Sequence, residues 1–443
     1  MHTDSLIHAS WIMPVEPAGQ VLAEHAIAIH EGRIAAILPS AQAREQISAS
    51  TVVELPGHAL IPGLINAHTH TPMSLFRGMA DDLPLMDWLN QHIWPAEKRW
   101  ISPEFVADGS RLAMAEMIRS GTTCFNDMYF FPDVTGQVAQ EAGMRAVLGM
   151  ILIDFPSAWA ADAEDYLNKA LELHDQYRNE PLIRAIFAPH APYSVSDAPL
   201  RKVRTLANEL ELPIHMHVHE TVDEINQSRK NFGQRPLARL EALGLPGPDF
   251  IAVHMTQLDD DEIKALAASG SHVVHCPESN LKLASGFCPV AKLLDAGVNV
   301  ALGTDGAASN NDLDMLGEMR SAALLGKGVA QDPEALPAAQ VLAMATINGA
   351  RALGLEEQTG SLRVGKAADI TAIDLEQLET RPLFDPVSQI VYAAGREQVS
   401  NVWINGCHLL RERKLVRMDH AQLLANAGQW QEKLIEWRQS QAS

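Results

Sequence analysis

Two histidines separated by one residue, near position 70, are the first residues of this chain that could do chemistry. The stretch Leu60–His70 reads LIPGLINAHTH, and its apolar part predicts a buried β-strand. Because side chains alternate along a strand, His68 and His70 project from the same face and can bind one cation. A hydrogen-bonded pair of histidines in a turn has the same spacing, so the pair alone leaves both interpretations open.

Other parts of the chain supply the remaining ligands of a metal site. A catalytic zinc ion takes about three or four nitrogen or oxygen ligands and keeps a position for water. We predict that the ligands are His68, His70, His217 and Asp305. A carboxylate among imidazoles can also take a proton from water, so Asp305 is expected to act as a catalytic base as well. The predicted cofactor is one zinc ion, and iron accepts the same donors.

The segment His215–Glu220, HMHVHE, holds three histidines that alternate along one predicted strand face. Spacing alone therefore does not decide which of them binds the metal. Glu220 favours His217, because a carboxylate at the point where the chain leaves the strand can reach the open metal position and give a proton to a substrate. We predict that His215 is a hydrogen-bonded core histidine, and the role of His219 stays open.

The elements that must position these residues follow a regular rhythm. From residue 60 onward, apolar β-rich runs alternate with segments of helical periodicity, one of which, Pro103–Ser120, stops before Gly121. Eight such runs over about 300 residues predict a (β/α)8 TIM barrel, whose active site lies at the carboxyl ends of the strands. The predicted strands are Leu60–His68, Thr122–Asp127, Arg145–Leu152, Ile183–His190, Pro213–Glu220, Phe250–Met255, His272–Cys276 and Asn299–Asp305.

Residues able to do chemistry gather at the carboxyl ends of these predicted strands. Besides the four candidate ligands they are Asp127, His190, Glu220 and His254. Because the strand ends of a barrel meet at one rim, residues far apart in the sequence are expected to share one site. Of this set, Asp127 is expected to be structural.

Short alternating segments before and after the barrel predict antiparallel strands. The simplest interpretation is one small β-sandwich domain built from both chain ends, with the barrel inserted between them. The predicted limits are 1–59 and 361–443 for the small domain and 60–360 for the barrel. A terminal helix is expected over Met418–Arg438. The predicted class is thus α/β.

Composition narrows the class of partner. The formal net charge of −21 disfavours a protein that grips nucleic acid or an anionic membrane, so we expect a small-molecule partner. No apolar run reaches the length of a membrane span, and the N-terminus does not resemble a signal peptide, which predicts a cytoplasmic protein. The four scattered cysteines do not form a disulfide framework or a zinc cluster.

An ordered set of motifs carries a family resemblance. The chain contains, in order, PGLINAHTH, HVHE, AVHM and LGTDGAASN, which together resemble the amidohydrolase superfamily over nearly the whole length. More narrowly, five segments resemble the 5'-methylthioadenosine/S-adenosylhomocysteine deaminases and their chlorohydrolase relatives: THTPMSLFRGMADDLPLMDWL, WPAEKRW, APHAPY, SNLKLASG and TDGAASNN.

The resemblance implies roles for individual residues. Binuclear relatives use a modified lysine at the end of strand four, whereas this chain has His190 there, so a single metal ion is expected. In the related deaminases the glutamate of HxxE, here Glu220, moves protons, and the strand-six histidine, here His254, stabilises the attacking oxygen. By the same resemblance Glu97 holds the ribose hydroxyls, and His190 contacts the sugar. A homo-oligomer, dimer or tetramer, is also implied.

The implied reaction is hydrolytic deamination of an adenosine analogue to the inosine analogue and ammonia. Relatives that accept S-adenosylhomocysteine use an arginine after strand three, and this chain reads DFPSAWAADAEDYL there, without arginine. The departure favours 5'-methylthioadenosine, with S-adenosylhomocysteine and adenosine as other substrates. Trp88, Met73 and Leu85 are candidates for an apolar slot around the 5'-thioether, or for simple packing, and Ser309 for a substrate contact.

Two other interpretations stay open. A guanine-type deaminase or a triazine chlorohydrolase of the same superfamily would use the same metal site. A catalytically inactive barrel that serves as a scaffold belongs to a different class of protein, and such proteins usually lose metal ligands. Here all four candidate ligands are present.

Overall fold

Two β-sheets of eight strands each build the structure, a computed structural model in which residues 1–442 are described. The strands are β1 (His2–Ile12), β2 (Leu22–His30), β3 (Arg33–Pro39), β4 (Ser48–Pro62), β5 (Leu64–Thr69), β6 (Thr122–Met128), β7 (Arg145–Leu152), β8 (Ile183–Pro189), β9 (Ile214–Val218), β10 (Phe250–His254), β11 (His272–His275), β12 (Asn299–Leu302), β13 (Ile370–Asp374), β14 (Val399–Ile404), β15 (Cys407–Arg411) and β16 (Lys414–Leu415). The mixed sheet has the order β16-β15-β14-β13-β4-β1-β2-β3 and so joins both chain ends, while β5 to β12 form a parallel sheet in sequential order.

The parallel sheet closes into a barrel at the rim that carries the candidate ligands. The backbone N–H of Asp305, just beyond β12, donates to the carbonyl of His68 in β5 at 3.0 Å. Eight parallel strands with helices between them, next to a sheet made from both chain ends, confirm the predicted fold class. The domain limits at residues 1–59, 60–360 and 361–443 stay a prediction.

The first predicted barrel strand is wrong at its start. Residues 60–62 belong to β4 in the mixed sheet, where Leu60 pairs with Ala372. The chain crosses between the sheets at Gly63, and β5 begins immediately after it. A Cβ atom at Gly63 would lie 2.0 Å from the Thr123 side chain, so only glycine permits this close approach. The apolar run continues across the crossing and therefore hides it.

Several predicted strands end too late at the rim that carries the candidate ligands. Strands β8 to β12 stop one to three residues before the predicted limits, so that Glu220 and Asp305 lie in the following loops. The backbone takes left-handed φ values of 55° at His219, 74° at His254 and 60° at Asp305. These turns break the alternation of a strand and redirect the side chains that follow.

Most of the α-helices follow barrel strands along the chain, and a few lie between or after strands of the mixed sheet. They are α1 (Ser40–Gln46), α2 (Leu85–Trp88), α3 (Trp94–Trp100), α4 (Pro103–Arg119), α5 (Pro132–Ala142), α6 (Ala163–Tyr177), α7 (Asp197–Leu210), α8 (Val222–Phe232), α9 (Pro236–Ala242), α10 (Asp260–Ser269), α11 (Pro277–Lys282), α12 (Val290–Asp295), α13 (Ala307–Asn310), α14 (Met315–Ala330), α15 (Ala338–Met344), α16 (Ile347–Ala352), α17 (Pro386–Tyr392) and α18 (His420–Ala442). Short 3-10 segments occupy Thr71–Phe76, Leu378–Thr380 and Arg396–Gln398, and a π-helical turn occupies Leu89–Ile93. Helix α4 agrees with the predicted helix, and Gly121 beyond it has a left-handed φ of 89°.

The terminal helix is present where it was expected, from His420 onward. It packs against α4: the buried Trp430 indole donates to the Asp108 carboxylate at 3.0 Å. Within residues 1–442, no helix has the length and apolar character that a bilayer span requires.

Candidate metal centre and active site

Four side chains from three separate parts of the barrel converge at its carboxyl rim. Strand β5 brings His68 and, directly after it, His70; strand β9 brings His217; and the loop after β12 brings Asp305. One ligand atom from each of the four lies within 4.8 Å of the others. The structure therefore brings together the full predicted ligand set.

The distances inside this cluster suit a single metal ion. The Asp305 Oδ1 atom lies 3.3 Å from His68 Nε2 and 3.1 Å from His70 Nε2, and the Nε2 atoms of His68 and His217 are 3.0 Å apart. In a tetrahedral zinc site with bonds of about 2.0 Å, ligand atoms are about 3.3 Å apart. The chemistry of the donors, three imidazoles and one carboxylate, fits zinc or iron.

The outer nitrogens of the three imidazoles are occupied, which fixes their orientation. Each Nδ1 atom has a hydrogen-bonding partner on the side away from the cluster: His215 Nε2 at 2.8 Å for His68, the Met128 carbonyl at 2.6 Å for His70, and the His190 carbonyl at 3.0 Å for His217. With a proton on Nδ1 donated outward, the Nε2 lone pair is left for a metal.

Burial keeps two of these imidazoles neutral. It lowers the pKa of His68 to about 4 and that of His217 well below its ordinary value. Burial also acts against protonation of His70, but the Asp305 carboxylate outweighs it and raises that pKa. For Asp305 burial favours the neutral acid, yet the adjacent imidazoles of His68 and His70 hold its pKa well below the ordinary value. Neutral imidazoles and an ionised carboxylate are the forms that bind metal.

The second oxygen of Asp305 is also fixed. Its Oδ2 atom accepts hydrogen bonds from Ser279 Oγ at 2.7 Å and from Ser309 Oγ at 2.9 Å, while the Gly306 N–H donates to Oδ1 at 2.8 Å. The carboxylate is therefore oriented before any ligand arrives. Ser309 also lines the cavity above the cluster.

The three histidines of His215–Glu220 have three different environments. His215 is buried below the cluster and contacts His68, so it is the hydrogen-bonded core histidine that was predicted. His219 points away, and its Nε2 accepts the Leu237 N–H at 3.1 Å. The expectation that all three alternate on one face is wrong because β9 ends at Val218 and His219 turns left-handed.

Glu220 and His254 lie next to the cluster on the cavity floor. The Glu220 Oε1 atom is 3.9 Å from His254 Nε2, and both residues line the cavity. The His254 ring is oriented by the Asn280 side-chain oxygen, 2.9 Å from its Nδ1. Burial raises the pKa of Glu220, although His254 opposes the shift. A carboxyl with a raised pKa next to a cavity is suited to accept and donate a proton.

The wall of the same cavity holds the remaining predicted residues. Glu97 and His190 line it, together with the apolar side chains of Trp88, Met73 and Leu85. Burial raises the pKa of Glu97 to about 7. None of the described residues around the cavity is a lysine or an arginine.

Tyr129 is a cavity residue that the sequence reasoning missed. Its hydroxyl donates to Glu97 Oε1 at 2.7 Å, so it leaves the second carboxylate oxygen of Glu97 for another donor. Tyr129 follows β6 by one residue, and its position at a strand end was the available signal. Its neighbour Asp127 is structural in its contacts, because it is buried and accepts the Thr71 N–H at 2.6 Å.

Comparison with known proteins supports this geometry. A family model described as "Amidohydrolase family" matches residues 59–408. The chain belongs to the amidohydrolase family. The predicted superfamily resemblance is thus confirmed, and the match spans the whole barrel and part of the mixed sheet.

Individual relatives of this amidohydrolase are similar over almost their entire length. A 5-methylthioadenosine/S-adenosylhomocysteine deaminase of Teredinibacter turnerae is 52% identical, with 97% of this chain and 98% of the relative covered. A crystal structure of an adenosine deaminase from Xanthomonas campestris with bound zinc has a TM-score of 0.97 and 55% identity, covering 98% and 99% of the two chains. Atrazine chlorohydrolase from Arthrobacter aurescens, with a TM-score of 0.89 but 24% identity over 96% and 99%, shares the fold.

Proposed function

We propose that this amidohydrolase is a zinc-dependent deaminase that converts 5'-methylthioadenosine to its inosine analogue and ammonia. The observation that carries the proposal is one cavity that holds both the metal-ligand cluster with Glu220 on its floor and Glu97 in its wall. The ligand cluster with Glu220 suits hydrolysis of a C–N bond, and Glu97 in the wall suits binding of the ribose of a nucleoside. The names of the most similar relatives agree with this activity.

His68, His70, His217 and Asp305 would hold the zinc ion. When bound, zinc lowers the pKa of a coordinated water to about 7 and so makes a nucleophile available at neutral pH. Water adds to C6 of the adenine ring, and the bond from C6 to the amino nitrogen breaks.

Protons must reach the substrate at two atoms during this reaction. Glu220 delivers one to ring N1, so that the ring accepts electrons, and a second to the departing amine. Both protons come from the water: Asp305 accepts one and passes it to Glu220, and Glu220 collects the other from the oxygen now on C6. His254, with its ring oriented by Asn280, stabilises the attacking oxygen.

The cavity wall supports recognition of a neutral thioether nucleoside. Glu97 accepts hydrogen bonds from the ribose hydroxyls and His190 contacts the sugar, while Ser309 lies beside the reacting ring. The apolar side chains of Trp88, Met73 and Leu85 surround the 5'-methylthio group. Since none of the described residues that line the cavity is a lysine or an arginine, the homocysteine carboxylate of S-adenosylhomocysteine lacks a cationic partner among them.

The direct test is a deaminase assay on the zinc-loaded protein. Loss of adenine absorbance and release of ammonia are followed with 5'-methylthioadenosine, S-adenosylhomocysteine and adenosine. The expected order of kcat/KM places 5'-methylthioadenosine first. No ammonia from any of the three would refute the proposal. A chain that also binds no zinc or iron would instead support the inactive scaffold.

The second candidate is a free-base or triazine hydrolase with the same metal site, because atrazine chlorohydrolase shares the fold. Glu97→Ala separates the two. If Glu97 binds ribose, the variant loses kcat/KM on nucleosides but keeps turnover of free bases or triazines. Equal losses on both classes of substrate would argue against the nucleoside assignment.

We also propose that the protein is cytoplasmic and forms a homo-oligomer, a dimer or a tetramer. Measuring the size of the particle in solution tests the oligomeric state.

A further inference from the structure

The turn that carries Glu220 has an unusual backbone. Strand β9 ends at Val218, and the next residue, His219, takes a left-handed φ of 55°. Such a conformation is sterically unfavourable for a non-glycine residue. It also points consecutive backbone N–H groups to the same side, which makes a concave site for a negative charge. Something must stabilise this turn, because Glu220 follows it directly.

A second glutamate, four residues beyond Glu220, fills that concave site. Glu224 in the first turn of α8 accepts the His219 N–H on Oε1 at 3.1 Å and the Glu220 N–H on Oε2 at 2.7 Å. Its side chain is buried, with 5% exposed. The proposed chemistry does not use Glu224, so a buried carboxyl group with both oxygens committed to two adjacent amides needs another explanation.

The opposite side of the same turn is also held. Thr256, just after β10, donates its hydroxyl to the Glu220 carbonyl at 2.7 Å, and its backbone N–H donates to the His219 carbonyl at 3.0 Å. Together with Glu224, these bonds engage both N–H groups and both carbonyls of His219 and Glu220. The Glu220 backbone is therefore fixed from two sides, and only its side chain is left to move in the cavity.

We propose that Glu224 is a positioning residue, which holds the backbone of Glu220 so that its carboxyl stays within reach of the substrate and of His254. This inference rests on the proposed function, in which Glu220 carries the protons. The Glu224 side chain then affects the rate of the reaction without contacting the substrate.

The amide isostere provides a sharp test, because it keeps the size of Glu224 but has one acceptor oxygen. In Glu224→Gln the NH2 group faces a backbone N–H, which loosens one side of the turn. A displacement of about 1 Å in a catalytic group can lower the rate about 100-fold. We expect kcat for 5'-methylthioadenosine to fall about 10- to 100-fold, KM to change less than about 3-fold, and zinc content to equal that of the wild type.

A measurement independent of activity follows the turn itself. In the metal-free protein, amide hydrogen exchange of the peptide that spans residues 214–226 is compared between wild type and Glu224→Gln. The expected result is faster exchange at the amides of residues 219 and 220. Asp223→Asn is the matched control, since Asp223 lies in the same first turn of α8 but is exposed, and the amides of residues 219 and 220 donate to Glu224 instead. It should leave kcat and this exchange unchanged.

The outcomes separate the possibilities. Unchanged kcat and unchanged exchange in folded Glu224→Gln would overturn the proposal, as would a change in KM alone. If that variant does not fold, Thr256→Val removes the hydroxyl on the other side of the turn and should give the same selective loss of kcat; a normal kcat would refute the positioning role. If the wild type releases no ammonia, the proposed function fails, while the exchange experiment still decides whether Glu224 holds the turn.

Discussion

The Nδ1 atom of His68 lies 2.8 Å from the Nε2 atom of His215, and both imidazoles are fully buried in the barrel. Since Nε2 of His68 faces the other candidate ligands, its Nδ1 carries the proton and donates a hydrogen bond to His215. His215 thus sets the tautomer of a metal ligand from below.

Replacing His215 should weaken metal binding. His215→Phe removes the acceptor, and the loss of such an outer partner typically lowers metal affinity about 10- to 100-fold. His215→Gln keeps an acceptor oxygen and should lose less. Zinc affinity is measured by competition with a chelator. His8→Phe, a buried histidine of the mixed sheet, is the control and should bind zinc like the wild type. Equal affinity in all variants would contradict the role of His215.

The two serines that hold Asp305 Oδ2 should also affect the metal site. Ser279→Ala removes a 2.7 Å hydrogen bond to the ligand carboxylate, and we expect zinc affinity to fall about 10-fold. The double variant with Ser309→Ala should lose more. Ser285→Ala, a buried serine in the segment that follows α11, is the comparison variant. If Ser279→Ala binds zinc no more weakly than Ser285→Ala, the serines do not orient Asp305.

Glu97 should make the metal-free protein less stable as the pH rises. Its folded-state pKa of about 7 lies above the ordinary 4.5, so between these values the folded protein holds more protons than the unfolded chain. The free energy of unfolding therefore decreases from pH 4.5 to 7 and stays lowered above that range. Glu97→Gln removes this dependence, so its Tm relative to the wild type should increase from pH 5 to pH 8. Glu241→Gln, at an exposed position, is the control, and its Tm difference from the wild type should not change with pH. If the Tm difference between Glu97→Gln and the wild type is also the same at pH 5 and pH 8, the prediction is contradicted.

A buried ion pair joins the barrel to the mixed sheet. The Arg145 guanidinium donates from Nε to Asp369 Oδ2 at 2.8 Å, and both side chains are nearly inaccessible. Arg145→Met leaves the carboxylate without its cation, which typically costs about 3–5 kcal/mol of unfolding free energy. Urea denaturation measures the change. The exposed pair of Lys264 and Asp261 provides the control, and Lys264→Met should unfold at the same urea concentration as the wild type.

Much of the fold could be predicted because the sequence patterns are local. Eight apolar runs alternate with helical segments, and each run matches a barrel strand, although the first begins too early and several end too late. The early start at Leu60 arose because apolar character continues across Gly63. The predicted strands ended too late because the sequence does not show where the backbone turns. Nothing in the residue types around Glu220, for example, indicates that His219 takes a left-handed φ.

The sequence by itself determined the fold class and supplied the candidate metal ligands, since HxH, HxxE and the strand-end aspartate are short patterns that suit metal chemistry. Only the tertiary structure decided which outer groups orient those ligands. Two of these contacts join residues on different elements: His215 with His68, and Tyr129 with Glu97. The third, in which Glu224 accepts two adjacent backbone amides, depends on the left-handed conformation of His219. Periodicity reports which face a side chain occupies, whereas a hydrogen bond depends on distances between elements that exist only once the barrel has closed.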